Sequence, residues 1–82
     1  MIDASQMRAA RGLLEWSQTQ LAEASNLSLP TIKRMEKLGP GRSSADNVSA
    51  VRKALEAAGV IFLDDGAEAA GGPGVRLRRS AD

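Results

Sequence analysis

Residues 16–39 read WSQTQLAEASNLSLPTIKRMEKLG, and the punctuation of this stretch decides the fold. Ser17 followed three residues on by Gln20 is a capping box, in which the hydroxyl accepts a backbone N–H at a helix start while the amide reaches back. The spacing predicts a helix of about two turns with Leu21 and Ala22 facing inward. Ser25-Asn26 closes it, because Asn tolerates the left-handed backbone that ends many helices. Ser28 offers a second cap, and Pro30 falls within the first turn of the next helix, 28–38, where a missing N–H costs little. Ile32 and Met35 share its apolar face, while Thr31, Lys33, Arg34 and Lys37 occupy other parts of the circumference. Gly39-Pro40-Gly41 stops it.

Outward from this pair, the flanking segments supply a core. Upstream, Met7, Ala10, Leu13 and Leu14 recur at helical spacing, which predicts a helix over about Ser5–Glu15. Asp3 or Ser5 can cap it, and Trp16 is expected as a core anchor rather than part of a cofactor site. Downstream, a helix is expected from Asp46 or Asn47 to Ala58, with Val48, Val51, Leu55 and Ala58 as its stripe and Gly59 as its cap. The period then changes. Val60-Ile61-Phe62-Leu63 is a short apolar run and Val75-Arg76-Leu77-Arg78 alternates apolar with basic, so both predict strands. Two short strands are marginal alone. They need a neighbour, and both pairing within one chain and pairing between subunits are open. The expected architecture is mainly α, a compact four-helix domain over 1–59, followed by a two-stranded extension over 60–82 that is a candidate dimerisation element.

Composition narrows the chemistry. The 82 residues include neither Cys nor His, so disulfides are impossible and the usual structural zinc ligands are missing. The nearest carboxylate pair, Asp64-Asp65, would point to opposite faces of a strand, which does not suit a shared substrate. Neither catalysis, nor a metal, nor a cofactor is expected. The start of the chain is amphipathic and lacks the apolar centre of a signal peptide, and no apolar stretch approaches membrane-spanning length. A cytoplasmic protein without membrane contact is the expectation.

The net charge is +1, from 11 Lys and Arg against 10 Asp and Glu, and by itself describes only a mixed surface. Its distribution says more. Lys33, Arg34, Lys37 and Arg42 cluster around the single acid Glu36, whereas Asp64, Asp65 and Glu68 fall together later in the chain. A local positive patch approaches phosphates even in a nearly neutral chain. Two short helices across a tight turn allow one to lie over the DNA backbone while the other enters the major groove. Gln18, at the amino end of the first, is placed to meet a phosphate. Leu29, Pro30, Thr31 and Arg34 lie at the start and outer face of the second. Arg34 could pair with guanine and Leu29 could touch a thymine methyl. Lys33, Lys37 and Arg42 are expected on phosphates, the alternative being a solvated face. The basic alternation at Val75–Arg79 is either an amphipathic strand with wet arginines or an extra backbone contact. Gly72-Pro73-Gly74 lacks the flanking strand and helix of a nucleotide loop.

The segment from Trp16 to Gly39 resembles the helix-turn-helix of the Cro and phage-repressor family, also called the xenobiotic-response-element family, with a looser likeness from Met7 to Gly59. Ser17-Gln18, Leu21-Ala22, the turn into Ser28, and Thr31-Ile32 followed by Glu36 carry it. The resemblance implies a transcriptional regulator, usually a repressor, that binds double-stranded DNA at a palindromic operator as a homodimer. It implies base contacts from Leu29, Pro30, Thr31 and Arg34, backbone contacts from Gln18 and Ser28, and an ion pair between Arg11 and Glu36, valued at about 0.2–1 kcal/mol if exposed. Asn26 stands where the family generally has Gly, and Leu29 and Pro30 stand where many members carry polar side chains. The competing expectation is a protein-interaction module, an antitoxin-like partner that engages another chain through 60–79.

Overall fold

The computed structural model describes residues 2–64 and 71–78, without the side chain of Arg42. The acids at 65 and 68, Arg79 and the tail 80–82 lie outside the described residues, as does any backbone contact by Arg42. The order of elements is α1 (Ala4–Leu14), α2 (Gln18–Ser25), α3 (Leu29–Leu38), a 3-10 turn (Pro40–Arg42), α4 (Ala45–Ala57), β1 (Val60–Leu63) and β2 (Gly74–Leu77). This is the mainly α, four-helix architecture with a short antiparallel pair of strands.

Each α-helix begins on a residue whose side chain satisfies one of its free N–H groups. Asp3 caps α1, accepting from the Gln6 N–H at 2.8 Å, while Gln6 Oε1 accepts from the Asp3 N–H at 2.9 Å. Ser17 and Gln20 form the expected box at the start of α2. Ser28 caps α3, with Pro30 in its first turn. For α4 the expected start at Asp46 or Asn47 is corrected. Ser44 is the cap, accepting from the Asn47 N–H at 3.1 Å. That earlier start leaves Asp46 in the first turn, where a negative charge favours the helix dipole. Gly59 follows the helix at φ +108°, a left-handed conformation suited to glycine.

Met7 and Ala10 of α1, Leu21 and Ala22 of α2, Ile32 and Met35 of α3, and Val48, Val51 and Leu55 of α4 meet in one core, joined by Ile2 and Val60. Trp16 and Leu14 are half-buried against it. Leu13, expected on the α1 stripe, is 42% exposed. Each helical residue turns by about 100°, and Leu13 falls beyond the edge of the face that Met7, Ala10 and Leu14 share. Ala58, expected on the α4 stripe, is half-buried at that helix's end.

The strands pair within the chain, Val60 opposite Leu77, Ile61 opposite Arg76 and Phe62 opposite Val75. Val60, Phe62 and Val75 pack toward the core, while Ile61 and Arg76 are exposed on the other face. The Arg52 guanidinium of α4 stands 5.4 Å from the centre of the Phe62 ring, a cation–π contact that ties β1 to the helix.

Gln6 fastens both strands. Its Nε2 donates to the Leu63 carbonyl at 3.0 Å and to the Gly74 carbonyl at 3.0 Å, so one buried amide both closes the α1 cap and holds the hairpin. Gln6→Glu keeps an acceptor for the cap and removes both donors. It is expected to cost at least about 1–3 kcal/mol, read as a lower urea midpoint and faster amide exchange in the hairpin. Parental exchange rates there would show that the amide does not fasten it.

Candidate nucleic-acid interface

The turn between α2 and α3 is residues 26–28. Asn26 takes φ 59°, and the Leu27 N–H donates to the Ala22 carbonyl at 3.0 Å, which closes α2. Leu21, Ala22 and Ser25 bury one face of α2, and Ile32, Met35 and Glu36 bury one face of α3. Opposite the buried face of α3, Pro30, Lys33, Arg34 and Lys37 are all exposed. Their spacing of three, four and seven residues from Pro30 makes a single stripe along the helix. It carries three cations and no anion.

The single acid of α3 is withdrawn from that stripe. Glu36 is buried, and its carboxylate receives the Arg11 guanidinium in a bidentate pair, Nε to Oε2 at 2.6 Å and a terminal nitrogen to Oε1 at 2.8 Å. The Arg11 guanidinium also donates to the Trp16 carbonyl at 3.1 Å. The hydrogen bond to Glu36, chiefly, and the opposite charge raise the Arg11 pKa above its ordinary value, against a smaller opposing effect of burial. The Glu36 side chain is only 4% exposed and that of Arg11 20%, so the energy of an exposed pair does not apply. The burial matters because a buried pair is costly to break from one side.

Gln18 joins the same centre. Its Nε2 donates to Glu36 Oε1 at 3.1 Å, which ties the amino end of α2 to the α3 helix. From α1, the Arg8 guanidinium donates to the Glu36 backbone carbonyl and, at 3.3 Å, to Ser5 Oγ. At the start of α3, Ser28 Oγ and Thr31 Oγ1 share a hydrogen bond of 2.8 Å, and the Thr31 N–H donates to Ser28 Oγ at 3.3 Å. Leu29 and Thr31 are half-buried, whereas Ser28 is exposed. Of the residues expected on DNA, Leu29, Pro30, Thr31, Lys33, Arg34 and Lys37 therefore share one short helix, with Ser28 at its cap. Gln18 lies on the adjoining helix.

Arg8 was expected only on the wet flank of α1, and Gln6 had no expected role. The box at Asp3 and Gln6 has the same spacing as the one at Ser17 and Gln20, which was the available signal. Nothing in the pattern points Arg8 at a carbonyl 28 residues away.

Two capped helices across a three-residue turn, the second presenting cations from a rigid base, define a DNA-binding helix-turn-helix. A model of the helix-turn-helix family matches residues 7–58. The chain belongs to this family, in the xenobiotic-response-element or Cro type that its sequence resembles. A comparison with curated proteins finds no match. Domains of this family are DNA-binding regulators of transcription rather than catalysts. Among the described residues, no group of three or more acids could hold a metal ion, and no helix is long and apolar enough to cross a membrane.

Proposed function

We propose that this protein is a sequence-specific regulator, acting as a repressor, that binds a palindromic operator as a homodimer with α3 in the major groove. The observation that carries the reading is the exposed stripe Pro30, Lys33, Arg34 and Lys37 on a helix whose acid is buried. In this reading Leu29, Pro30, Thr31 and Arg34 face base edges, while Gln18, Ser28, Lys33, Lys37 and Arg42 meet the backbone. The hairpin 60–78 is the proposed dimerisation element, with Ile61, on its outer face, against the second copy.

Proton accounting at the cap sharpens the expected target. Ser28 Oγ accepts the Thr31 N–H and shares one hydrogen bond with Thr31 Oγ1. If the Ser28 hydroxyl donates to a phosphate, that shared bond must be donated by Thr31. Thr31 Oγ1 is then left as an acceptor, which suits the amino groups of adenine or cytosine and not guanine O6 or thymine O4.

Selection from a random duplex library tests the reading. The expected product is a palindrome with half-sites about 34–36 Å apart, guanine opposite Arg34, and adenine or cytosine opposite Thr31. Binding should fall steeply with salt. Enrichment of no sequence would overturn the reading, and a non-palindromic site would overturn the homodimer.

A further inference from the structure

We infer that Arg8 is a positioning residue for DNA reading, which sets the orientation of α3 without touching DNA. The inference rests on the proposed reading of base edges by that helix.

Arg8 and Arg11 stand three residues apart on α1, so their side chains leave the same side of the helix. Both converge on Glu36, and they divide it. Arg11 takes the carboxylate and Arg8 takes the backbone carbonyl. The carbonyl of Glu36 belongs to the last turn of α3, where four such groups lack partners within the helix and carry the negative end of its dipole. The next carbonyl toward the amino end, that of Met35, is taken by the Gly39 N–H at 3.0 Å. A guanidinium bound to the Glu36 carbonyl satisfies a terminal acceptor with a charged donor, among the stronger hydrogen bonds available to a backbone group.

The placement matters more than the bond. Ile32 and Met35 root α3 in the core, and beyond them the helix runs into Lys37, which is exposed, and Leu38, which is 53% exposed. In that turn the Glu36 side chain is held by Arg11 and Gln18, while Lys37 and Leu38 lie in solvent. Arg8 adds a fastening of the backbone itself two residues from Arg34, and its second bond, to Ser5 Oγ, ties the guanidinium back to α1. Base readout depends on side chains held within about half an ångström of the productive position. Phosphate contacts by flexible lysines tolerate more. Loss of Arg8 should therefore degrade discrimination between sequences and spare general affinity for DNA.

The experiment compares full-length parent, Arg8→Ala and Arg8→Lys on the selected operator and on a random duplex across a salt series, at a temperature where urea unfolding shows each variant folded. Arg8→Ala is expected to weaken operator binding by about tenfold, the scale of one charge-assisted hydrogen bond. Affinity for the random duplex and the salt slope should stay as in the parent. Arg8→Lys, which keeps one charged donor, should recover part of the discrimination. Equal weakening on both duplexes with a salt slope smaller by about one would make Arg8 a phosphate ligand and overturn the inference, as would unchanged discrimination in Arg8→Ala. A parent that discriminates between no sequences would instead overturn the DNA-reading proposal itself, and the inference with it.

Discussion

Arg11→Ala is expected to cost about 3–5 kcal/mol of folding stability, the range for removing one partner of a buried ion pair. The magnitude follows from what the substitution leaves behind. Glu36 would keep its carboxylate, with 4% of the side chain exposed, and of its side-chain donors only the Gln18 amide would remain. A domain of this size has roughly 4–12 kcal/mol in total, so the loss takes much of it. The reverse change should be milder. Glu36→Gln retains an oxygen for Arg11, and Arg11 with 20% of its side chain exposed can turn to water, which points to about 1–3 kcal/mol. The double variant Arg11→Met, Glu36→Leu should recover most of the loss, because apolar replacement of both members removes the stranded charge. Urea unfolding with linear extrapolation separates the three. An Arg11→Ala midpoint close to the parent's would mean that the pair behaves as a surface pair despite its burial.

The same pair shows where the sequence could be read and where it could not. The helices were legible because their ends are marked by side chains that bond to neighbouring backbone, as at Ser17 with Gln20, Asn26, and Ser28 with Pro30. Such bonds span three or four residues and leave a pattern in the sequence. Within the core, Leu21, Ile32 and Val51 follow from helical periodicity for the same reason. Strand existence was equally visible, but pairing was not. Val60–Leu63 meets its own chain, alongside bonds from Gln6 to residues 57 and 68 positions away that leave no local pattern. The burial of Glu36 is likewise a long-range outcome. Periodicity alone gives the acid between Met35 and Lys37 no partner; the family resemblance pairs it with Arg11, and the structure adds Arg8 and Gln18. The residues expected on DNA could be placed together on one helix and Arg11 set against Glu36 by resemblance, while the rest of the framework that orients that helix, the bonds of Arg8 and Gln18 to Glu36, left no local pattern.

That framework bears on the second large effect, the expected loss of sequence discrimination in Arg34→Ala. Arg34 is exposed on the outer stripe of α3, between the neighbouring cations Lys33 and Lys37, and is the one described side chain of that stripe with a planar fork of donors. Pro30 has no hydrogen-bonding side chain, nor has Leu29, and Thr31 is engaged with Ser28. Bidentate recognition of guanine O6 and N7 therefore falls to Arg34, at about 1–3 kcal/mol, or roughly 5-fold to 150-fold in operator affinity. Arg34→Lys should lose most of this discrimination while keeping general affinity, because an ammonium group supplies charge without the fork. Lys33→Ala should behave differently, weakening all sequences about equally and lowering the salt slope by about one. Titration of each variant against the selected operator, its single-base changes and a random duplex distinguishes these outcomes. If Arg34→Ala weakened every duplex alike, Arg34 would be a phosphate contact. Discrimination would then have to come from the start of α3, where Leu29 has a thymine methyl to read and Thr31 Oγ1 an adenine or cytosine amino group.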